Sequence, residues 1–334
     1  MKPRKVVVSI ILILALLGAL FVANAQQPAK IPMIGYLSQW SGVAGPPSPN
    51  LTAFLEGLKD LGYVEGKNIA IEYRYTEGKN DRLPELAADL VQLKVDLIVT
   101  ETGGASLQAK KATQTIPIVM GGSGDAVSQG LVASLAHPGG NVTGLTTLSP
   151  AASGKRLQLL AEVVPKLTHV GVLWGGAGFP VTDRELAETR AAAQLLNVQV
   201  SLFEVRIAAD LPGIFAEAAR QNIQALLLFD MPSLSTPATV AQINELSAQN
   251  RMPMMFQVPG FVRAGGLASY GVQFTVLNRK AATYVDRILN GAKPADLPVE
   301  QPTKFILVIN MKTAKALNLT IPQSVISQAD QVIE

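Results

Sequence analysis

From residue 31 onwards, short apolar runs alternate with amphipathic stretches, and this alternation constrains the fold more than any other feature of the chain. The runs with strand character lie at residues 31–37, 69–73, 95–100, 116–120 and 143–147. The helical patterns between them lie at residues 51–61, 81–93, 105–113 and 127–136. Strands and helices that alternate at this spacing predict a parallel sheet covered by helices on both faces.

The same alternation starts again after residue 150, which predicts a second α/β unit. Helical patterns lie at residues 153–163, 183–196, 211–221 and 238–249, and strand patterns lie at 170–174, 199–205, 225–229 and 254–257. A further helix at 277–290 precedes a proline-rich passage through Pro302, which indicates a return crossing between the units. The chain is therefore expected to form two α/β lobes, each with a doubly wound parallel sheet.

The first 25 residues have the pattern of a cleavable export signal. A basic start at residues 2–5 precedes an apolar run at 6–22, and Ala23-Asn24-Ala25 fits the small-x-small pattern of a cleavage site. The alternative is an uncleaved membrane anchor, but the run is shorter than the roughly 20 residues that a spanning helix needs. We expect cleavage near Ala25 and a periplasmic protein that begins at Gln26.

The charge balance gives no reason to expect a nucleic-acid partner. The chain has 28 Lys and Arg residues against 25 Asp and Glu residues. Three of the basic residues and none of the acidic ones precede residue 26, so the rest of the chain carries equal numbers of both. No run of basic residues is present that would predict binding to phosphates.

The sequence also lacks the motifs of the common enzyme classes. It has no cysteine, which excludes disulfides, thiol catalysis and a lipid-modified cysteine at the mature start, so a freely diffusing monomer is expected. It contains no phosphate-binding loop that ends in Gly-Lys-Ser/Thr and no Gly-x-Ser-x-Gly motif. The two histidines, His137 and His169, have no metal-ligand spacing. We expect neither a catalytic centre nor a metal or cofactor.

The candidate binding residues lie in the loops that follow the predicted strands, because ligands of open parallel sheets bind at the carboxyl ends of strands. In the first unit these candidates are Ser38, Gln39, Trp40, Thr102, Gly103, Ser106, Ser123 and Asp125. In the second unit they are Trp174, Gly175, Phe179, Asp230 and Ser233, and two further candidates, Tyr270 and Gln273, lie near the return crossing.

These residue types suit a small zwitterion. Hydroxyl groups and glycine backbone N–H groups at helix starts can hold a carboxylate, and Asp125 and Asp230 can hold an ammonium group. Aromatic rings such as Trp40, Phe179 and Tyr270 can cover an apolar side chain. The alternative interpretation is that the glycines and serines are ordinary turn residues, and Trp174 equally fits a position in the core.

Several segments together resemble the bacterial ABC-transporter substrate-binding proteins of the tryptophan/tyrosine type. They include Ile34-Gly35-Tyr36-Leu37, Leu61-Gly62-Tyr63-Val64-Glu65-Gly66-Lys67-Asn68, Gly130-Leu131-Val132-Ala133-Ser134-Leu135, Pro138-Gly139-Gly140-Asn141-Val142-Thr143-Gly144, Ser269-Tyr270-Gly271, Lys293-Pro294-Ala295-Asp296-Leu297-Pro298-Val299 and Ile309-Asn310-Met311-Lys312-Thr313-Ala314-Lys315-Ala316-Leu317. Each segment is short, but their order and spacing extend over residues 31–334.

The resemblance implies a type I periplasmic-binding-protein fold, in which two lobes joined by three crossings close on a ligand. It implies a first lobe of residues 30–148 plus 269–299 and a second lobe of 149–268 plus 300–334. Two departures bear on the ligand. Val272-Gln273 replaces the usual acidic residue after Ser-Tyr-Gly, and the loop from Trp174 to Phe179 lacks an Asn-Pro sequence.

The function expected from the resemblance is capture of an amino acid or an amino-acid-like carboxylate and its delivery to a membrane ABC permease. The two departures mean that the ligand need not be an aromatic amino acid. The alternative function is a periplasmic sensory subunit that reports the ligand to a membrane receptor. An exported enzyme is the third hypothesis, and the absence of enzyme motifs disfavours it.

Overall fold

The computed structural model describes residues 30–39, 47–77, 79–147, 149–176, 180–229 and 231–334. The predicted signal at residues 1–25 lies outside these ranges, as do three candidate binding residues, Trp40, Phe179 and Asp230. Within the part of the chain that the structure describes, every helix is too short or too polar to span a bilayer.

The described strands form two sheets. They are β1 (Met33–Ser38), β2 (Ala70–Tyr75), β3 (Leu97–Thr100), β4 (Ile118–Ser123), β5 (Val142–Thr146), β6 (His169–Trp174), β7 (Gln199–Glu204), β8 (Ala225–Leu228), β9 (Met254–Phe256), β10 (Ala268–Gly271), β11 (Ile306–Asn310) and β12 (Gln331–Ile333). The first sheet has the order β2-β1-β3-β4-β5 and is parallel throughout. The second has the order β12-β11-β10-β9-β8-β6-β7, and its one antiparallel pairing among the described strands is β10 with β11.

Helices cover both sheets. They are α1 (Pro49–Asp60), α2 (Leu83–Gln92), α3 (Gly103–Ala112), α4 (Ser153–Val163), α5 (Pro180–Leu196), α6 (Leu211–Arg220), α7 (Pro237–Gln249), α8 (Pro259–Arg263), α9 (Phe274–Leu289), α10 (Met311–Ala316) and α11 (Gln323–Ile326). We call the five-stranded sheet and the helices packed on it the first lobe, and the seven-stranded sheet with its helices the second lobe. The predicted fold of two α/β lobes with parallel sheets is confirmed.

Each lobe has its own apolar core on both faces of its sheet. In the first lobe, one core cluster joins β1 to α1 and to α9, with Tyr36, Phe54 and Tyr284 almost fully buried. The ring centroids of Tyr36 and Phe54 are 5.5 Å apart. Full burial of a phenylalanine such as Phe54 stabilises the fold by about 1.5–3 kcal/mol. Helix α9 follows the second lobe in sequence but packs on the first, so the first lobe is completed late in the chain.

The chain crosses between the lobes three times. The first crossing runs from β5 towards α4, the second from β10 to α9, and the third from Glu300 to β11. The last crossing starts at the first sheet, because the N–H of Thr146 donates to the carbonyl oxygen of Glu300 at 3.0 Å, and the N–H of Glu300 donates to Gly144 at 2.9 Å. Residues 269–271 were expected in the first lobe, whereas β10 places them in the second sheet.

The predicted helix at residues 127–136 is wrong, because the structure has turns and bends there. Gly130 has a φ of +66°, in the left-handed region, which ends the local turn. Farther along, the N–H of Ala133 donates to the carbonyl of Pro138 at 3.0 Å, and the Ser134 hydroxyl donates to the carbonyl of His137 at 3.1 Å. These turn hydrogen bonds replace the helical ones that the apolar spacing had predicted.

Candidate functional site

The strand order of each sheet reverses once along the chain, and such switch points open a crevice beyond the carboxyl ends of the strands. In the first sheet the reversal lies between β1 and β3, so the loops that begin at Ser38 and Glu101 flank the crevice. In the second sheet it lies between β6 and β8, next to Trp174. Arg184 of α5 forms an ion pair with Asp125, which follows β4. This contact joins the two lobes, so the two crevices face each other.

At the first switch point the two loops are bound together by side chains. The Thr102 hydroxyl donates to the side-chain oxygen of Gln39. The same Thr102 oxygen accepts from the N–H of Ala105 at 3.2 Å, so it caps the start of α3. A Cβ atom on Gly103 would lie 2.6 Å from the end of the Gln129 side chain, so Gln129 packs directly on this glycine. The structure therefore brings together the predicted residues Gln39, Thr102 and Gly103.

The structure adds a buried carboxyl group, Glu101, to this switch point. Its side chain accepts from the Ser38 hydroxyl, and the Ser48 hydroxyl lies 3.4 Å from its other oxygen. Glu101 is only 1% exposed, and this burial raises its pKa from the usual value of 4.5. Burial likewise raises the pKa of the neighbouring Tyr36 hydroxyl, and the negative charge of Glu101 adds to that rise. The sequence signal was an acidic residue directly after an apolar strand.

Two predicted hydroxyl residues of the first lobe are fully buried and hold loops in place. The Ser106 hydroxyl donates to the carbonyl of Thr102 at 2.8 Å and lies 2.7 Å from the Thr100 hydroxyl. The Ser123 hydroxyl donates to the side chain of Gln129. Both serines are 0% exposed. Their place in the structure is therefore behind the loops that face the crevice.

Asp125 is held in a fixed position at the edge of the first lobe. One of its carboxylate oxygens accepts from the N–H of Ser128 at 3.1 Å, and the other pairs with Arg184 of the second lobe. The loop before it is fixed by Thr146, whose hydroxyl lies 3.0 Å from the carbonyl oxygen of Ser123 and 3.1 Å from that of Gly124. Arg184 was not predicted, because nothing in a sequence connects residues 125 and 184.

In the second lobe the predicted residues lie around the carboxyl end of β6 and the crossings. Trp174 is partly buried against the core, Gly175 is exposed, and Ser233 is partly buried in the short 3₁₀ turn Pro232–Leu234. The half-buried Tyr270 ring stacks on Phe305, with the centroids 5.7 Å apart. Gln273 directly precedes α9. Trp174, Gly175, Ser233 and Tyr270 therefore lie at one edge of the second lobe, and Gln273 lies on the crossing to the first lobe.

A buried polar cluster lies beneath this edge, and sequence reasoning did not find it. The side-chain N–H of Gln257 donates to Glu185 at 2.9 Å, and the Arg156 guanidinium lies 3.7 Å from the same carboxylate oxygen. Arg156 also donates to the Ser153 hydroxyl at 2.7 Å and to the carbonyl of Tyr270 at 3.3 Å. The cluster thus ties α4 and α5 to the strand that enters the second crossing.

The described residues show no metal-binding arrangement. No group of three or more His, Cys, Asp or Glu side chains within these ranges could hold a metal ion. A separate open groove, lined by residues such as Lys30, Pro117 and Leu289, lies at the amino ends of the first-lobe strands. It is therefore at the opposite end of the sheet from the switch point.

Comparison with known proteins supports the resemblance seen in the sequence. A tyrosine-binding protein of Clostridioides difficile (strain R20291) is 26% identical over 272 residues, which cover 80% of this chain and 75% of that protein. The crystal structure of an ABC domain in complex with L-Trp from Streptococcus pneumonia has a TM-score of 0.81 at 26% identity, covering 90% of this chain and 99% of that one. A conserved domain protein from Vibrio cholerae also has a TM-score of 0.81 at 26% identity, covering 91% of this chain and all of that one.

These structures confirm the type I periplasmic-binding-protein fold. The family model described as "ABC transporter substrate binding protein" matches residues 49–333, nearly the whole of the described chain. That family is defined by solute binding and is not an enzyme class. The chain belongs to the ABC transporter substrate-binding protein family.

Proposed function

We propose that this chain is an exported binding protein that captures an amino acid or an amino-acid-like carboxylate between its two lobes and delivers it to an ABC permease. The observation that carries the proposal is the pair of Asp125 and Arg184 across the crevice. It provides one anionic and one cationic group on facing lobes, as a zwitterion requires. The similarity to a tyrosine-binding protein and to an L-Trp complex supports the same ligand class.

The proposed ligand site combines the two switch points. On the first lobe it uses Gln39 and Thr102, which are already in mutual contact, together with Asp125. On the second lobe it uses the edge that contains Gly175 and Tyr270. The predicted residues Trp40, Phe179 and Asp230 remain candidates for the same site. Ser38, Ser106 and Ser123 support it from behind.

The lobes in this proposal differ slightly from the sequence expectation. We propose a first lobe of residues 30–147 plus 272–300 and a second lobe of 149–271 plus 301–334. The bridge between Leu145 and Glu300 and the pairing of β10 with β11 support these limits. The three crossings then form the hinge about which the crevice closes on its ligand.

A thermal-shift screen tests the ligand class. A ligand at 100 times its dissociation constant should raise the free energy of unfolding by about 2.7 kcal/mol, because it binds only the folded state. We expect at least one proteinogenic amino acid to produce this stabilisation. Stabilisation by a sugar or a nucleoside, with no response to amino acids or small carboxylates, would contradict the proposal.

Export and delivery are tested in cells. The signal pattern at residues 2–25 supports export, so the periplasmic protein should begin at Gln26 when its N-terminus is sequenced. Deletion of the gene should abolish high-affinity uptake of the ligand that the screen identifies. Unchanged uptake with a lost ligand-dependent signalling response would instead favour the sensory function.

A further inference from the structure

The ion pair between Asp125 and Arg184 differs from the other ion pairs of the described residues. Its partners belong to opposite lobes, with Asp125 after β4 and Arg184 on α5. Other pairs stay within one lobe, such as Arg206 with Glu204 and Arg279 with Glu56. Asp125 follows the carboxyl end of β4 and Arg184 lies on the helix that follows β6, so the pair joins the two sheet edges at which ligands of such folds bind.

The two partners of this pair are held very differently. Asp125 has a side chain only 14% exposed, accepts a backbone hydrogen bond from Ser128, and follows a loop fixed by Thr146. The Arg184 side chain is 55% exposed, and Asp125 is its single ion-pair partner among the described residues. The carboxylate is therefore a fixed group, whereas the guanidinium can move without breaking another ion pair among the described residues.

An α-amino acid carries an ammonium group and a carboxylate on the same carbon atom. Such a molecule can lie between the two side chains in place of their direct contact. Its ammonium group then contacts Asp125, and its carboxylate contacts Arg184. Both charges of the pair then keep a partner of opposite sign. A guanidinium suits the second contact, because its planar N–H groups can bind both oxygens of one carboxylate.

We infer that an α-amino-acid zwitterion inserts into the Asp125–Arg184 pair, and that Arg184 selects ligands by their carboxylate group. This inference rests on the proposed function and names the charge pattern of its substrate. It predicts that the binding protein discriminates against the decarboxylated amine of its own ligand. The bound zwitterion gives both side chains a partner of opposite charge, so the Asp125 carboxylate, which is only 14% exposed, is not left unpaired.

The test measures the affinities of two proteins for two ligands and compares them in the manner of a double-mutant cycle. The variant is Arg184→Gln, and the probes are the amino acid that the thermal-shift screen selects and its decarboxylated amine, for example L-tyrosine and tyramine. Calorimetry should show that the wild-type protein binds the amine at least about tenfold more weakly than the amino acid. In Arg184→Gln the amino acid should bind at least about tenfold more weakly, and the amine should lose little further affinity.

The matched control is Arg206→Gln, since Arg206 forms an exposed ion pair within the second lobe. It should leave both affinities and their ratio unchanged, and thermal melting should show that both variants are folded. If Arg184→Gln weakened amine and amino acid equally, or weakened neither, the inference would be overturned although amino-acid binding stood. Binding of a small carboxylate but of no amino acid would also overturn the inference, and if neither an amino acid nor a small carboxylate bound the wild-type protein, the proposed function itself would fail.

Discussion

At the scale of single residues, the surroundings of Glu101 change how readily its carboxyl group ionises. Its carboxyl is sealed inside the first lobe, and burial raises its pKa above the usual 4.5. The folded chain therefore keeps a proton on Glu101 at pH values at which the unfolded chain has lost it. Because the folded state then binds more protons, the free energy of unfolding falls as the pH rises from 4.5 through the folded-state pKa.

The substitution Glu101→Gln tests this relation. Glutamine keeps the shape and one acceptor for the Ser38 hydroxyl but cannot ionise. We expect the stability of Glu101→Gln relative to the parent to increase as the pH rises from 4.5 into the neutral range. Urea unfolding at a series of pH values measures this difference, and a difference that stays constant with pH would contradict the prediction.

Asp210→Asn is the control with the opposite sign. The Asp210 carboxylate accepts from the N–H groups of Ile207 and Arg206 at 3.1 and 3.0 Å, and these bonds lower its pKa from 3.8. The unfolded chain therefore binds the proton more readily than the folded one. The stability that this carboxylate contributes is therefore lost as the pH falls through its folded-state pKa. As the pH rises through the same region, the free energy of unfolding of the parent should increase relative to that of Asp210→Asn.

The residue scale also shows where sequence reasoning ends. The contact between Thr102 and Gln39 could be predicted, because both follow strands and the rule for open sheets brings such loops together at the switch point. Glu101 stands in the same loops, but whether its carboxyl faces solvent or is buried depends on Ser38 and Ser48. Arg184 could not be predicted, because its partner lies on the other lobe.

At the scale of elements, the contact between α1 and α9 depends on the smallness of Gly57. A Cβ atom there would lie 2.4 Å from the carbonyl oxygen of Arg279 on α9 and 3.0 Å from Ala282. Gly57→Ala should improve helix propensity by up to about 1 kcal/mol. The clash outweighs this gain, because a backbone oxygen cannot rotate away and overpacking typically costs about 1–3 kcal/mol. Chemical denaturation should therefore show a net loss of stability.

Gly213→Ala provides the matched control in helix α6. No atom lies within 4 Å of the position that its Cβ would occupy, so the substitution changes propensity without adding a clash. We expect Gly213→Ala to stabilise the protein by about 0.4–1 kcal/mol. A destabilisation of both variants, or of neither, would show that close packing at Gly57 is not the cause.

Helices and strands could be predicted where neighbouring residues in the sequence determine them, and were missed where distant residues do. The strand–helix alternation identified β1 to β9 within a few residues. The central strands, such as β3 and β8, are buried apolar runs, whereas the edge strands β2 and β7 are partly exposed and were identified by their place in the alternation. The pattern at residues 127–136 failed because Gly130 and the turn that follows it decide the local path. Strands β10 and β12 are short and are defined by pairing with distant strands, so local periodicity could not reveal them. Strand β11 is a buried run of five residues, and its apolar pattern could have revealed it.

At the scale of the whole molecule, each lobe is completed by chain that is synthesised after both sheets have begun. The first lobe needs α9, whose buried residues Leu277, Tyr284 and Val285 pack with Phe54 of α1. The second lobe needs β11, which pairs with β10 on one side and with the edge strand β12 on the other. The crossings therefore make the stability of each lobe depend on the complete chain.

A chain that ends at Gly271 tests this interdependence, because it removes α9 from the first lobe and β11 from the second. Both cores then expose apolar surface, and loss of a single large core side chain already costs about 2–5 kcal/mol, a large part of a typical total stability. We expect no cooperative thermal transition and no ligand binding. A chain that ends at Asp330 loses only the edge strand β12, in which Gln331 and Val332 are exposed, and it should still melt cooperatively. A cooperative transition in the shorter chain would show instead that one lobe folds without the segment that returns to it.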